Sequence, residues 1–178
     1  VNSPDDTDEW DLRGAIKSLK TVHGMRKGWG KTFNPIVYTT NGIFTNRNWE
    51  EIEHVSAKPD IIDDLRKIAY VNLKKIPGGS SVDYHKLQNQ YQKHKEILLK
   101  QIEVFKPDVI ICGGSFDLIK NDLKLENLNI EDIYPIRSFY SSNQIIIDAY
   151  HPNQRTVKQK LFCDSIINVV NKWKNEYK

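Results

Sequence analysis

Apolar residues follow two rhythms along this chain. Ile145-Ile-Ile147 is an unbroken β-branched run that ends in Asp-Ala-Tyr-His-Pro152, the pattern of a strand covered on both faces. Asp108-Val-Ile-Ile-Cys-Gly-Gly114 repeats that pattern as a second fully buried strand, and Ile68-Ala-Tyr-Val-Asn-Leu73 reads as a third. Between them, Leu87, Tyr91, Leu98, Ile102 and Phe105 recur at helical spacing and predict a long helix over 83–105, ended by Lys106-Pro107. Val157, Leu161, Ile167 and Val170 make the buried stripe of a last helix, expected to start near Gln154 with Asn153 as its cap.

The other segments are shorter. Asn2 to Glu9 is turn-prone and able to cap a helix from about Glu9 to Leu19, with Trp10, Ile16 and Leu19 on one side. Residues 34–44 fit either a strand or a buried helix. Asn48 is placed to cap a short helix over 50–55, and Pro59 to open another ending near Lys67. Ser115 precedes a helix from Phe116 to Leu123, and residues 133–140 form an ambiguous extended piece. Strands alternating with helices predict one α/β domain over 1–178, a three-layer sandwich with a mostly parallel central sheet.

Composition narrows this picture only slightly. With 178 residues, 39% hydrophobic and 28% charged, the chain is long and apolar enough for one buried core, which excludes a disordered chain. Its 26 basic against 23 acidic residues leave a net +3, compatible with a polyanionic partner without requiring one. The charge is uneven: the first dozen residues are acidic, while Lys17 to Lys31, Lys74 and Lys75, and Arg155 to Lys178 are basic. Cys112 and Cys163 sit in a strand and in a helix without metal-ligand spacing, so both read as core residues of a reducing compartment. No run is apolar enough to span a membrane and no signal peptide is visible, so the cytoplasm is the expected location. The chain opens on Val1, as a fragment or processed chain would, and an N-terminal strand is expected to be missing.

Polar residues with chemical use fall at the ends of the expected strands, the edge where open α/β sheets bind ligands. Asn72 there offers a donor and an acceptor to the edge of a base, or to its own loop backbone. Gly113-Gly114-Ser115 is a tight turn through which backbone N–H groups can approach a phosphate, although any such turn favours glycine. Pro152 stops the last strand and delivers His151 at its end, beside the expected N-terminus of the last helix and Arg155. Gly24 to Phe33 mixes glycines, cations and two aromatics, as a solvated loop or as a contact for a phosphate backbone and a flat ring.

Three stretches taken together, Ile68-Ala-Tyr-Val-Asn-Leu with Lys-Lys-Ile-Pro, then Ile102 to Gly114, then Ala149-Tyr-His-Pro-Asn, resemble successive core motifs of the uracil-DNA glycosylase superfamily. The resemblance covers residues 68–170 and implies that fold. It implies that Asn72 reads a pyrimidine edge and that Gly113, Gly114 and Ser115 approach DNA phosphate. It further implies that His151 stabilises the departing base while Asn153, Gln154 and Arg155 meet the duplex. Lys74, in the basic stretch after Asn72, joins them as a DNA contact.

Excision needs a base drawn out of the stack, a ring to hold it and a side chain to fill the gap. Phe33 or Trp29 is the candidate stacking face, and Gln154 or Arg155 the candidate wedge. The first motif of that superfamily, which follows a first strand, is not evident. Asn2, Asp5 and Asp6 occupy the position of its tail and are candidates for positioning water, with helix capping an equal alternative. Cluster cysteines are absent, so neither metal nor cofactor is expected, and the loop after His151 carries Asn and Gln where the commoner loop has serine, a departure that bears on the base excised and on the wedge. The implied activity is a DNA glycosylase acting on uracil or another modified pyrimidine, in repair or phage defence. The competing readings are a nucleotide hydrolase and a glycosylase-like fold that only binds nucleic acid or protein.

Overall fold

The computed structural model describes residues 18–73 and 83–178. A two-residue hairpin, β1 (Lys20–Thr21) and β2 (Gly24–Met25), leads into α1 (Gly30–Thr45), then two 3₁₀ segments, Trp49–Glu51 and Pro59–Lys67. Helix α2 (Tyr84–Phe105) precedes β3 (Val109–Gly113), the short α3 (Phe116–Ile119) and its 3₁₀ continuation Lys120–Asp122. Strands β4 (Asn129–Ile133), β5 (Ile136–Tyr140) and β6 (Ile145–Ala149) follow, and α4 (Gln159–Tyr177) ends the chain.

Helix α1 resolves the ambiguity of residues 34–44. Nearly all of its middle is buried, from Phe33 through Ile43, because it is covered by α4 on one side and by Pro59–Lys67 on another. A helix enclosed in this way buries residues on every side, the polar Thr39, Thr40 and Asn41 among them, so the apolar period alone does not tell it from a strand. Gly42 makes the close approach possible: a Cβ there would lie 2.3 Å from Ile167 Cδ1 and 2.6 Å from the Arg47 carbonyl oxygen.

The main sheet has the order β3-β6-β5-β4. β3 pairs with β6 in parallel, in the register Val109↔Ile145 to Gly113↔Ala149, whereas β5 is antiparallel to both β6 and β4. The sheet is therefore mixed, with one parallel pair, which corrects the mostly parallel expectation. The reason lies in the connections: β4 joins β5 through Tyr134-Pro135, and β5 joins β6 through residues 141–144, links too short for a crossover.

β6 is the strand buried on both faces, with Ile145, Ile146 and Ile147 at 0%, 1% and 0% exposure. Its odd positions enter a core with α1, α4 and Pro59–Lys67, while Ile146 enters a second core with Tyr91 and Leu98 of α2, Cys112 and Phe116. Helical elements thus cover both faces of the sheet. β3 is an edge strand with Ile111 42% exposed, not the enclosed strand expected. Ile68 to Leu73 belongs to neither sheet. Ile68 and Tyr70 touch the first core while Val71 and Leu73 touch the second, so its apolar residues serve an extended passage between cores.

Asp83, the first residue of the expected helix, lies outside it and caps α2 by accepting a hydrogen bond from the Lys86 N–H. The glycine-rich segment is not a loop throughout, since Gly30 to Phe33 form the first turn of α1. Cys112 and Cys163 are free and buried, and burial pushes both thiols up to about 12. Among the described residues no helix is long and apolar enough to cross a membrane. Residues 1–17 and 74–82 lie outside the described part, and with them the expected first helix.

The Gly42 contact gives the first prediction. Gly42→Ala should overpack the α1–α4 contact and lower unfolding stability in urea by about 1–3 kcal/mol. An unchanged midpoint would mean that the two helices are not seated as described.

Candidate functional site

The parallel pairing of β3 with β6 brings the carboxyl ends of both strands to one edge. The Gly114 N–H donates to the Ala149 carbonyl at 2.7 Å, one step beyond the Gly113↔Ala149 pair. Gly114 then turns the chain towards α3 at φ +69, a conformation glycine adopts without a Cβ clash. A Cβ on Gly114 would meet His151 N and Cβ at 3.1 Å, and one on Gly113 would meet Pro152 Cδ at 3.0 Å. The glycine turn and the histidine–proline turn are therefore packed together.

His151 is held by its own loop. The Asn153 N–H donates to His151 Nδ1 at 3.1 Å, and the Gln154 N–H donates to the His151 carbonyl at 2.9 Å. A ring that accepts at Nδ1 carries its proton on Nε2 when neutral, an assignment that follows from this hydrogen bond. His151 is exposed, yet the chain packed around it desolvates the ring and holds its pKa below the ordinary 6.5. The histidine is thus poised as a neutral Nε2–H donor.

The helix expected to start beside it begins five residues later. α4 starts at Gln159 with Lys158 at its cap position, so Asn153 is not a helix cap and the last helix does not begin beside His151. The reason is local: Gln154 folds its carboxamide back on the loop, with Nε2 donating to the Val157 carbonyl at 2.8 Å and Oε1 accepting from the Val157 N–H at 2.7 Å. Of the two wedge candidates, Gln154 is committed to this bracket. Arg155 is exposed and has no ion pair among the described residues. Ser115 is half-buried at the start of α3, with no side-chain capping bond, and α3 is a single turn.

A second grouping is made of aromatic rings. Trp29 and Phe33 stand 5.5 Å apart, and Phe33 and Tyr70 5.4 Å apart, between ring centres. Tyr70 lies two residues before Asn72, so the predicted stacking residues are tied to the chain that carries the predicted base reader. Phe33, however, is 3% exposed, its faces being taken by its neighbours, which leaves the half-buried Trp29 and Tyr70 as the rings nearer to solvent. Asn72 is exposed, and no hydrogen bond joins it to the His151 turn. Asn2, Asp5, Asp6 and Lys74 lie outside the described residues.

No family model, curated protein or solved structure matches this chain.

Sequence reasoning missed Asp148, the one charge in Ile145–Ala149. It pairs across the sheet with Arg137, whose Nη2 donates to Asp148 Oδ2 at 3.0 Å, and lies opposite Cys112 on the other side. The guanidinium lies 5.5 Å and 5.3 Å from the centres of the Phe116 and Phe139 rings, which stack on one another at 4.9 Å. Burial raises the Asp148 pKa above the ordinary carboxylate value, and the Arg137 hydrogen bond opposes that rise. The signal available in the sequence was a lone carboxylate three residues before the histidine. Its partner could not be named without the β5–β6 register. Among the described residues no three His, Cys, Asp or Glu side chains gather to hold a metal ion.

Removing the arginine should expose this balance. Arg137→Met leaves a partly buried carboxylate unpaired and is expected to lower stability at neutral pH by about 1–3 kcal/mol. The folded-state pKa of Asp148 is already raised, so protonation relieves the unfavourable burial. The deficit should therefore shrink as pH falls through that raised value, in urea unfolding followed from pH 7 downwards. A deficit independent of pH would mean that Arg137 acts through packing alone.

Proposed function

We propose that this chain is a DNA glycosylase that hydrolyses the N-glycosidic bond of uracil or another modified pyrimidine flipped out of DNA. The observation that carries the reading is the contact of Gly114 with His151 at the shared carboxyl edge of β3 and β6. It supports a site in which a glycine turn follows the phosphate backbone while an imidazole faces the base. Asn72 and the ring of Trp29 are assigned to the base, and Gly113, Ser115, Asn153 and Arg155 to the DNA backbone around it.

The chemistry asks little of each group. When the glycosidic bond breaks, its electron pair stays on the base and positive charge develops on the sugar, to which water then adds with loss of a proton to solvent. A neutral His151 donating Nε2–H to a base carbonyl stabilises the developing anion. The donor is most effective when its partner acquires charge only in the transition state. Protonating the imidazole frees Nδ1 from its role as acceptor for the Asn153 N–H and so disturbs the turn that aims it.

The test is base release. Duplex and single-stranded DNA carrying uracil, 5-hydroxymethylcytosine or glucosylated 5-hydroxymethylcytosine would be incubated with the protein and assayed for alkali-labile abasic sites. His151→Ala is expected to lower the single-turnover rate constant by about 10²–10⁴-fold while DNA affinity is retained. Because neutral His151 is the active form and its pKa is held below 6.5, the rate constant should be flat above that value and decline only on its acid side. Binding of all substrates without base release would favour a purely binding domain. Release that survives in His151→Ala would remove the histidine from the mechanism.

A further inference from the structure

The described residues also form an open cleft of about 660 Å³ far along α4 from the histidine turn, and its composition is unusual. Five asparagines line it: Asn168, Asn171 and Asn175 from α4, with Asn46 and Asn48 from the end of α1 and the turn that follows. Positions 168, 171 and 175 recur at the spacing of one helix face. They look across the groove at Asn46, which ends α1 in the left-handed conformation at φ 54. No lining residue is apolar.

Asn171 is the residue that packing does not explain. It is 8% exposed, lines the cleft, and its Oδ1 is buried without a hydrogen-bond partner. Leaving such an acceptor unpaired in the folded chain is unfavourable, and a leucine would fill similar volume without that penalty. Because Asn171 lines the cleft, a ligand there is within reach of its carboxamide.

The charged members of the lining are engaged elsewhere. Lys172 binds Glu131 of β4 at 2.7 Å, and Glu176 accepts a hydrogen bond from the Tyr177 hydroxyl. What remains is an array of neutral carboxamides, each with a donor beside an acceptor, Asn48 also serving a capping box with Glu51. That array complements vicinal hydroxyls, which likewise donate and accept. It gives an anion no free cation to bind, and a nucleobase no ring to stack on.

We infer that this cleft is a binding site for a neutral, hydroxyl-rich ligand of saccharide size, recognised by Asn171 and its neighbouring carboxamides. The site stands apart from the glycosylase reading and does not depend on it. Whether the sugar is free or part of a longer glycan is decided by comparing a monosaccharide with a trisaccharide.

The experiment is a titration of the full, isotope-labelled chain, observing asparagine side-chain NH₂ resonances by NMR. The probes are D-glucose, maltotriose, uridine and inorganic phosphate, each to about 50 mM, where a millimolar site saturates. Glucose or maltotriose is expected to shift the Asn168, Asn171 and Asn175 resonances saturably, tighter binding of maltotriose marking a glycan site. Asn171→Leu, which should fold at least as stably as the parent, is expected to weaken binding tenfold or more, and Asn168→Ala to weaken it at the rim. The proposal is overturned if neither sugar gives saturable shifts, if uridine or phosphate binds there in their place, or if Asn171→Leu binds as tightly as the parent.

Discussion

The enclosure of β6 is the constraint on which the rest of the structure depends. Three consecutive isoleucines are removed from water, each contributing about 1.5–3 kcal/mol on burial, and successive side chains enter opposite cores. A strand in this position cannot slip by one residue, because that would exchange the two sets of side chains and drive Asp148 into the core that holds Ala149. The parallel pairing with β3 is thereby fixed in register, and with it the meeting of Gly114 and His151 beyond the strand ends.

The rest of the fold supplies the two layers that β6 requires. On one side α1 and α4 approach each other closely at Gly42 and Ile167, while Pro59–Lys67 covers α1 and shields its middle from water. On the other side α2 contributes only Tyr91 and Leu98 as fully buried residues, and Ile97, Val104 and Phe105 stay exposed. The second layer is therefore lighter, and its order near the histidine edge comes from the stacked Phe116 and Phe139 rings with Arg137 laid over both.

Electrostatics at that edge are local. Asp148 is raised by burial and steadied by Arg137, whereas Asp117, one residue into α3, is lowered by its bond to Lys120. Two carboxylates near one strand end are thus held in opposite directions by their surroundings, while His151 is kept neutral by desolvation. The asparagine cleft works on a different principle, with its charges tied up at its margins and neutral amides left facing the groove.

Some of this was legible in the residues and some was not. The Ile145–Ile147 run identified the buried strand because three consecutive β-branched side chains favour the extended chain, and only a strand covered on both faces removes all three from water. The spacing from Leu87 to Phe105 identified α2, since its period needs no knowledge of a partner. Asn48 and Pro59 marked helical starts because capping and proline geometry act within a few residues. The glycine pair marked a tight βα turn for the same reason. Strand direction was settled by tertiary structure, because Ile136–Tyr140 pairs with strands on either side of it in sequence and its apolar pattern does not reveal which. Ile68–Leu73 looked like a strand because an extended chain between two cores alternates as a paired strand does. The start of α4 was decided by a Gln154 side chain folding onto Val157, a choice between helix cap and loop bracket that both local sequences allow. Short-range rules of backbone and side-chain period were carried by the sequence itself. Which distant groups share an edge, a core or a cleft was decided only when the chain closed, because those contacts depend on register and packing between elements far apart along it.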